Sequence, residues 1–371
     1  MSLRILHCIH HLEGGGAERQ VRFLANASEA FGMKAGVVCA NAKGREEFSP
    51  TVALYVARRA AVWDLRMMLD IHRAIRDFRP DVVHAWLPEV MTIPAMLLAA
   101  RHRLPSVFSY RWSMHWHRPL AVVEYLTALL CSRVVISNHA LTTDSAVYHW
   151  LFRRKHGTTI PNGVPLVTST RVARSESSRE RPTHRILFAG RLTKDKNWPC
   201  LLNALPLVRA ARPWRLTICG VGEDQAAVQS RIAELGLRNQ VDMKGYVRDL
   251  ATTMNESDVL VLPSWSEGMS NVFFEAMASG LPCLVSDIPQ NRALVHTHQC
   301  ARLFNPMSPP DLALALTELL DSAGERQRLA AAGVTTARQY SIDTMVQRHL
   351  AVYRQMVGGA LAETGLRKVI G

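Results

Sequence analysis

The sequence has no apolar run long enough to cross a bilayer. Its longest, MTIPAMLLAA from Met91 and LAVVEYLTALLC from Leu120, fall short of the roughly 20 residues that a helical span needs. The opening MSLRILHCIHHLEGGG has too short an apolar stretch for a secretory signal. Cysteines are few, at positions 8, 39, 131, 200, 219, 283 and 300, odd in number and without a C-x-x-C pair. They read as reduced thiols in a cytosol, with no disulfide frame and no zinc site. No D-x-D pair occurs, which removes the paired carboxylates that often hold a diphosphate through Mg²⁺. Neither glycine cluster completes the dinucleotide fingerprint G-x-G-x-x-G. No internal repeat of fixed short period is visible.

What remains describes an ordinary folded protein. The chain of 371 residues, 48% hydrophobic and 20% charged, is too long for one core and suits two domains. The formal net charge is +13 and unevenly spread. Residues 1–180 hold 23 Lys+Arg against 14 Asp+Glu, and the remainder holds 21 against 17. The basic half should face something anionic, such as the inner leaflet of a membrane. No nucleic-acid recognition motif accompanies that charge.

Short apolar runs alternate with amphipathic segments along the whole chain. RILHCIHHL, KAGVVCAN, DVVHAWL, PSVFSYRW and SRVVISN read as strands in the first half. HRILFAGRL, WRLTICGVG, QVDMKGYV, SDVLVLPSW and LPCLVSDIP read as strands in the second. Continuous buried strands alternating with helices predict α/β architecture, with two doubly wound parallel sheets. The expected domains are 1–165 and 184–340, joined by a Ser- and Arg-rich linker at 166–183. The segment 341–371 should be helical and pack back toward the first domain.

Four motifs carry chemistry. HLEGGGAERQ sets Gly15 and Gly16 between the first strand and the first helix, where glycines admit close backbone approach and helix amides face an anion. CGVGEDQ repeats the pattern at Gly222. FAGRLTKDKN places Arg191 and Lys196 beyond a strand end, two cations suited to a ligand phosphate. SWSEGMSNVFFEAMASG holds Glu267 in a loop and Glu275 two turns into a helix expected to begin near Met269 or Ser270. An offset of eight positions, if helical throughout, leaves the carboxylates about 80° and roughly 12 Å apart, too far to share a proton. They suit two different parts of one long ligand. Backbone amides of Met269, Ser270 and Asn271 could donate to sugar hydroxyls or a diphosphate. Glu275, among apolar neighbours, needs a polar partner such as a ribose diol.

Together GGGAER, PNGV, GRLTKDKN, CGVGE, SDVLVLPSWSEGMSNVFFEAMASGLP and SDIPQN resemble the family-four retaining glycosyltransferases of the GT-B fold. The resemblance implies two Rossmann-like domains facing a cleft, the first taking the acceptor and the second a nucleotide-sugar. It implies that Glu267 contacts the donor sugar and Glu275 the ribose, with Gly268, Ser270, Asn271 and Val272 around them. Arg191 and Lys196 would take the diphosphate with the backbone near Gly15 and Gly16, without a metal or other cofactor. Tyr246 and Val247 would hold the base through backbone groups. The chain departs from the family in two places. EGMSN replaces the usual EGFG, and Arg111 stands where relatives often carry a histidine. Arg111, His115 and His117 are therefore acceptor-side candidates.

The reaction implied is retaining transfer from a nucleotide-diphosphate-sugar, UDP-sugar favoured, to a hydroxyl of a saccharide acceptor. A catalytically silent sugar-nucleotide-binding protein and a GT-B epimerase or hydrolase are alternatives. The stretch RHRLPSVFSYRWSMHWHRPLAVVEYL mixes basic, aromatic and aliphatic residues, as membrane interfaces do. It points to a cytoplasmic enzyme, peripheral on an anionic membrane surface, acting on a lipid-linked saccharide.

Overall fold

A computed structural model describes residues 2–12, 15–58, 64–87, 89–111, 132–138, 157–166 and 182–358, with five further positions between 123 and 131. His115, His117 and nearly all of the expected linker lie outside these residues. The chain divides into two compact units, Met1–Gly163 with Ile342–Gly371, and Val164–Ser341.

The first unit carries strands β1 (Leu3–Cys8), β2 (Met33–Cys39), β3 (Ala53–Val56), β4 (Val82–Trp86), β5 (Ser106–Tyr110), β6 (Val134–Ser137) and β7 (Thr158–Thr159). They form one parallel sheet in the order β3-β2-β1-β4-β5-β6-β7. Helices α1 (Gly16–Ala27), α2 (Leu65–Phe78) and α3 (Thr92–Arg101) belong to this unit. The central strands VVHAW and SVFSY are buried at every position, as befits a sheet covered on both faces. The run PSVFSYRW, expected within a membrane interface, is thus largely interior: β5 has no face left for lipid.

The second unit carries β8 (His184–Ala189), β9 (Trp214–Cys219), β10 (Val241–Gly245), β11 (Val259–Leu262), β12 (Cys283–Ser286) and β13 (Arg302–Phe304). These also run parallel, in the order β10-β9-β8-β11-β12-β13. Its helices are α4 (Trp198–Ala204), α5 (Gln225–Glu234), α6 (Leu250–Glu256), α7 (Asn271–Ala278), α8 (Pro289–His298), α9 (Pro309–Asp321) and α10 (Ala323–Arg338).

The last described helix, α11 (Ile342–Val357), belongs to the first unit. Its Met345, Val346, Leu350, Tyr353 and Met356 share a core with Ile5, Val21 and Leu24. Full burial of each such side chain contributes about 1.5–3 kcal/mol, enough to hold a terminal helix in place. PNGV marks the place where the chain leaves this unit. The Gln20 side chain brackets Gly163, accepting from its N–H at 2.8 Å and donating to its carbonyl at 3.0 Å. A Cβ at Gly163 would stand 2.9 Å from the Ile342 Cα, so only glycine fits without moving α11.

Candidate active site

In an open parallel sheet, ligands bind beyond the carboxyl ends of the strands where the strand order reverses. In the second unit that point lies between β8 and β11, and the sequence-predicted charges meet there. Beyond β8 the chain passes Gly190 and Arg191 into a single turn of 3₁₀ helix at Lys194–Lys196. Beyond β11 it passes Pro263 and Ser264 to Glu267. Lys196 Nζ donates to Glu267 Oε1 at 2.8 Å, and Ser264 Oγ donates to the same oxygen at 2.6 Å. The two loops are also stitched by the Trp265 N–H donating to the Asp195 carbonyl at 2.9 Å. Lys196 was expected to be a phosphate ligand alone; it is also the ion-pair partner of Glu267, with both side chains mostly buried.

Behind this pair stands a chain of polar groups that sequence reading did not single out. Ser286 Oγ donates to the Ser264 carbonyl at 2.7 Å, and Asn291 Nδ2 donates to the Ser286 carbonyl at 2.9 Å. Ser264, Ser286 and Asn291 are all buried. Their signal was present in PSWSEG and SDIPQN, where polar residues follow at once upon the apolar runs of β11 and β12. The chain fixes the loop that carries Glu267.

The second glycine loop is shaped by contact with the first. Gly220 lies in the left-handed region, φ +148°, and a Cβ there would fall 1.8 Å from the Gly190 carbonyl oxygen. At Gly222 it would fall 2.3 Å from the Leu192 carbonyl oxygen. The glycines let the β8 and β9 loops touch backbone to backbone, with the Leu192 N–H donating to the Val221 carbonyl at 3.0 Å. Arg191 is exposed at this edge.

α7 begins at Asn271 with Ser270 as its cap in extended conformation, one to two residues later than expected. Glu275 therefore sits little more than one turn into the helix. It is buried, next to the buried Phe274 and Ala276. Gly268, Met269, Asn271 and Val272 are half-buried around the helix start. Beyond β10, Tyr246 is well exposed while Val247 packs on the apolar cluster of Phe274 and Met254.

In the first unit Gly15 caps α1 and Gly16 opens it. Arg111 lies just beyond β5 and is buried. Its guanidinium stacks 4.4 Å from the centroid of Trp86 and donates from Nη1 to Asn162 Oδ1. Among the described residues, its Nε and Nη2 have no hydrogen-bond partner. Burial pushes Arg111 down to about 9, opposed by Tyr353, so it stays charged at neutral pH.

Around Arg111 are His7, His84, His349 and Tyr353, all fully buried. Burial lowers His7 and His349 to about 3, and holds His84 well below its ordinary value. These rings are therefore neutral at pH 7. His84 is held between Tyr353 Oη at 2.6 Å and Ser109 Oγ at 2.7 Å. His7 Nδ1 accepts from Trp86 Nε1 at 3.2 Å. The histidines of β1, β4 and α11 thus form a neutral network beneath one permanent cation. Sequence reading found Arg111 but not this network, because its members are scattered over the chain.

Two parallel α/β units, the second with a cationic, carboxylate-bearing switch point, are what the resemblance to the GT-B glycosyltransferases implies. Comparison with known proteins agrees. The model of Glycosyltransferase Family 4 matches residues 14–167 and that of Glycosyl transferases group 1 matches residues 183–322. The chain belongs to the family-four glycosyltransferases of the GT-B fold. It is 25% identical over 343 residues to the lipopolysaccharide core biosynthesis glycosyltransferase LpsD of Rhizobium meliloti, covering 91% of this chain and 93% of that protein. It is 26% identical over 348 residues to the phosphatidyl-myo-inositol mannosyltransferase of Mycobacterium leprae, covering 90% and 88%. In fold it is similar to sucrose-phosphate synthase of Thermosynechococcus elongatus, with TM-score 0.79, 17% identity and coverage of 96% and 100%. Anabaena HepE in complex with UDP-glucose gives TM-score 0.76 and 18% identity, with coverage of 94% and 99%. Among the described residues no helix is long and apolar enough to cross a membrane.

Proposed function

We propose that this glycosyltransferase moves a sugar, with retention of anomeric configuration, from a UDP-sugar to a hydroxyl of a lipid-linked saccharide. The observation that carries the donor half is the convergence of Lys196 and Ser264 on Glu267 at the switch point, beside Arg191. Arg191 and Lys196 supply the positive charge that a departing diphosphate needs, so the proposed reaction takes no metal. Glu267, held by Ser264, receives the sugar hydroxyls. Glu275, buried on α7, receives the ribose diol. Tyr246 and Val247 flank the base.

In the proposed reaction the bond from C1 to the diphosphate oxygen breaks and a bond from C1 to the acceptor oxygen forms on the same face. The acceptor proton passes to the departing phosphate oxygen, and nucleoside diphosphate leaves. Arg111, and His115 and His117 beyond it in sequence, are the acceptor-side groups. The solved complex of HepE with UDP-glucose supports UDP as the carrier. The names of LpsD and the phosphatidyl-myo-inositol mannosyltransferase support a lipid-linked acceptor and a place in glycolipid assembly.

The test is transfer from a panel of UDP-sugars to a lipopolysaccharide-core acceptor, with the new linkage read by proton NMR. An α-linkage from an α-donor is expected. A β-linked product would refute retention, and release of sugar at equal rate without acceptor would show a hydrolase instead.

A further inference from the structure

The basic half of the chain carries an outer face that the donor and acceptor sites do not use. On α2, Leu65 is 75% exposed and Leu69, one turn on, is 54% exposed. On α3, Leu97 is 45% exposed. Each helix buries its opposite side in one shared core, where Met67, Ile71 and Ala74 meet Ala95 and Leu98. The two helices are tied at their sides by His102 Nε2 and His72 Nδ1, 2.9 Å apart. Both helices lead from one parallel strand to the next and so run the same way, and counting back from that contact at the ~1.5 Å rise of a helix puts Leu69 and Leu97 within about 3 Å of the same level. The three leucines therefore share one outward surface.

Arginines ring them. Arg66, Arg73 and Arg76 are exposed on α2, and Arg101 and Arg103 at the end of α3. The acids nearby are few. Asp64 caps α2 by accepting from the Arg66 N–H. Asp70 is paired with Arg58 and Arg73 at 3.3 Å each. Asp77 acts on Tyr55 of β3. The surplus is positive enough to be felt locally: His102 is lowered by desolvation first, then by His72, Arg101 and Arg76.

We propose that the outer face of α2 and α3 is the surface by which this enzyme docks on an anionic bilayer. Leu65, Leu69 and Leu97 enter the headgroup layer, and Arg66, Arg73, Arg76 and Arg101 meet lipid phosphates. The proposal rests on the reading of a lipid-linked acceptor and names the surface that would bring the enzyme to it. Charge alone would serve any polyanion. Exposed leucines among the arginines serve only a partner with an apolar layer behind its charge. Sequence reading had placed the interface further on, at residues 101–126, but β5 in that stretch is interior.

The experiment is sedimentation of the purified protein with phosphatidylglycerol vesicles and with phosphatidylcholine vesicles. The wild type should bind the first and not the second. Arg73→Gln with Arg76→Gln should lower the partition about fivefold for each arginine removed. Leu65→Ser with Leu69→Ser should lower it as well. All these residues are exposed, so melting temperatures and the thermal shift with UDP should stay at wild-type values. Binding by the variants equal to the wild type would overturn this surface while leaving the proposed reaction intact. Loss in the arginine variant alone, with the leucine variant unaffected, would make the face a polyanion site and overturn the bilayer. No binding of the wild type to either vesicle would overturn docking altogether, whereas failure of the reaction would appear separately as no thermal shift with UDP.

Discussion

Removing the Glu267 carboxylate should harm catalysis far more than folding. Lys196 Nζ and Ser264 Oγ both point at its Oε1, from 2.8 Å and 2.6 Å. Two unit charges at that separation attract by about 6 kcal/mol at an effective dielectric constant of ~20. The side chains are only 17% and 12% exposed, so their desolvation offsets most of that gain, and the net contribution is about 1–3 kcal/mol. In Glu267→Ala, Lys196 keeps a second partner in Asp195 Oδ2 at 3.7 Å. The loss should then lie near about 1–2 kcal/mol, a fall of roughly 2–8 °C in Tm for a domain of this size. Turnover should drop by about 10², the scale of loss when a group that positions the reacting sugar is removed. Glu267→Gln keeps a neutral acceptor for Lys196 and Ser264 but removes the ion pair, so Tm should recover in part while kcat stays low. The assays are release of nucleoside diphosphate and a thermal melt on the same preparations. Turnover by Glu267→Ala within about threefold of wild type would refute the role given to this carboxylate.

Arg111→Met should raise stability by about 1 kcal/mol, because a buried guanidinium whose Nε and Nη2 lack partners is replaced by an apolar chain of similar volume, a gain partly offset by the lost Asn162 bond and Trp86 stacking. It should lower transfer at the same time, and a variant that is less stable yet fully active would contradict both parts. Acid should weaken the first unit through its histidines. His7 and His349 stay neutral in the fold down to about pH 3, whereas an unfolded histidine takes its proton near about pH 6.5. Stability is therefore fully present above that value and falls as pH drops from there toward 3, by up to about 1.4 kcal/mol per pH unit for each ring. Denaturant midpoints across that range should show the slope, and His349→Leu should reduce it. Gly163→Ala should cost about 1–3 kcal/mol by pushing Ile342 and α11 aside, read as a lower Tm; an unchanged Tm would mean that α11 is not seated as described.

The central strands were legible because VVHAW, SVFSY, VLVL and CLVS are mostly apolar without alternation, the mark of a doubly covered sheet. The edge strands β3, β7 and β13 were not, since two to four residues carry no periodicity. The helical pattern of GAERQVRFLANASEAFG runs on to the glycine at 32, yet α1 ends at Ala27 and a 3₁₀ turn follows. The charges of the site were visible in GRLTKDKN and SWSEG, but not their pairing. Nothing in the sequence says that Lys196, with β9, β10 and β11 intervening along the chain, reaches the Glu267 carboxylate. The His7, His84 and His349 network was invisible for the same reason. Each looks like a stray polar residue until β1, β4 and α11 bring them together.

The most direct test of the donor site is the melting temperature of the purified protein with UDP-, GDP- and ADP-sugars in the presence of EDTA. A nucleotide-sugar at about 100 times its Kd should stabilise the fold by roughly 2.7 kcal/mol. A clear rise with a UDP-sugar, undiminished by EDTA and lost in Lys196→Ala, is the expected result. No rise with any of them, or a rise that needs added Mg²⁺, would contradict a donor site built on Arg191, Lys196 and Glu267.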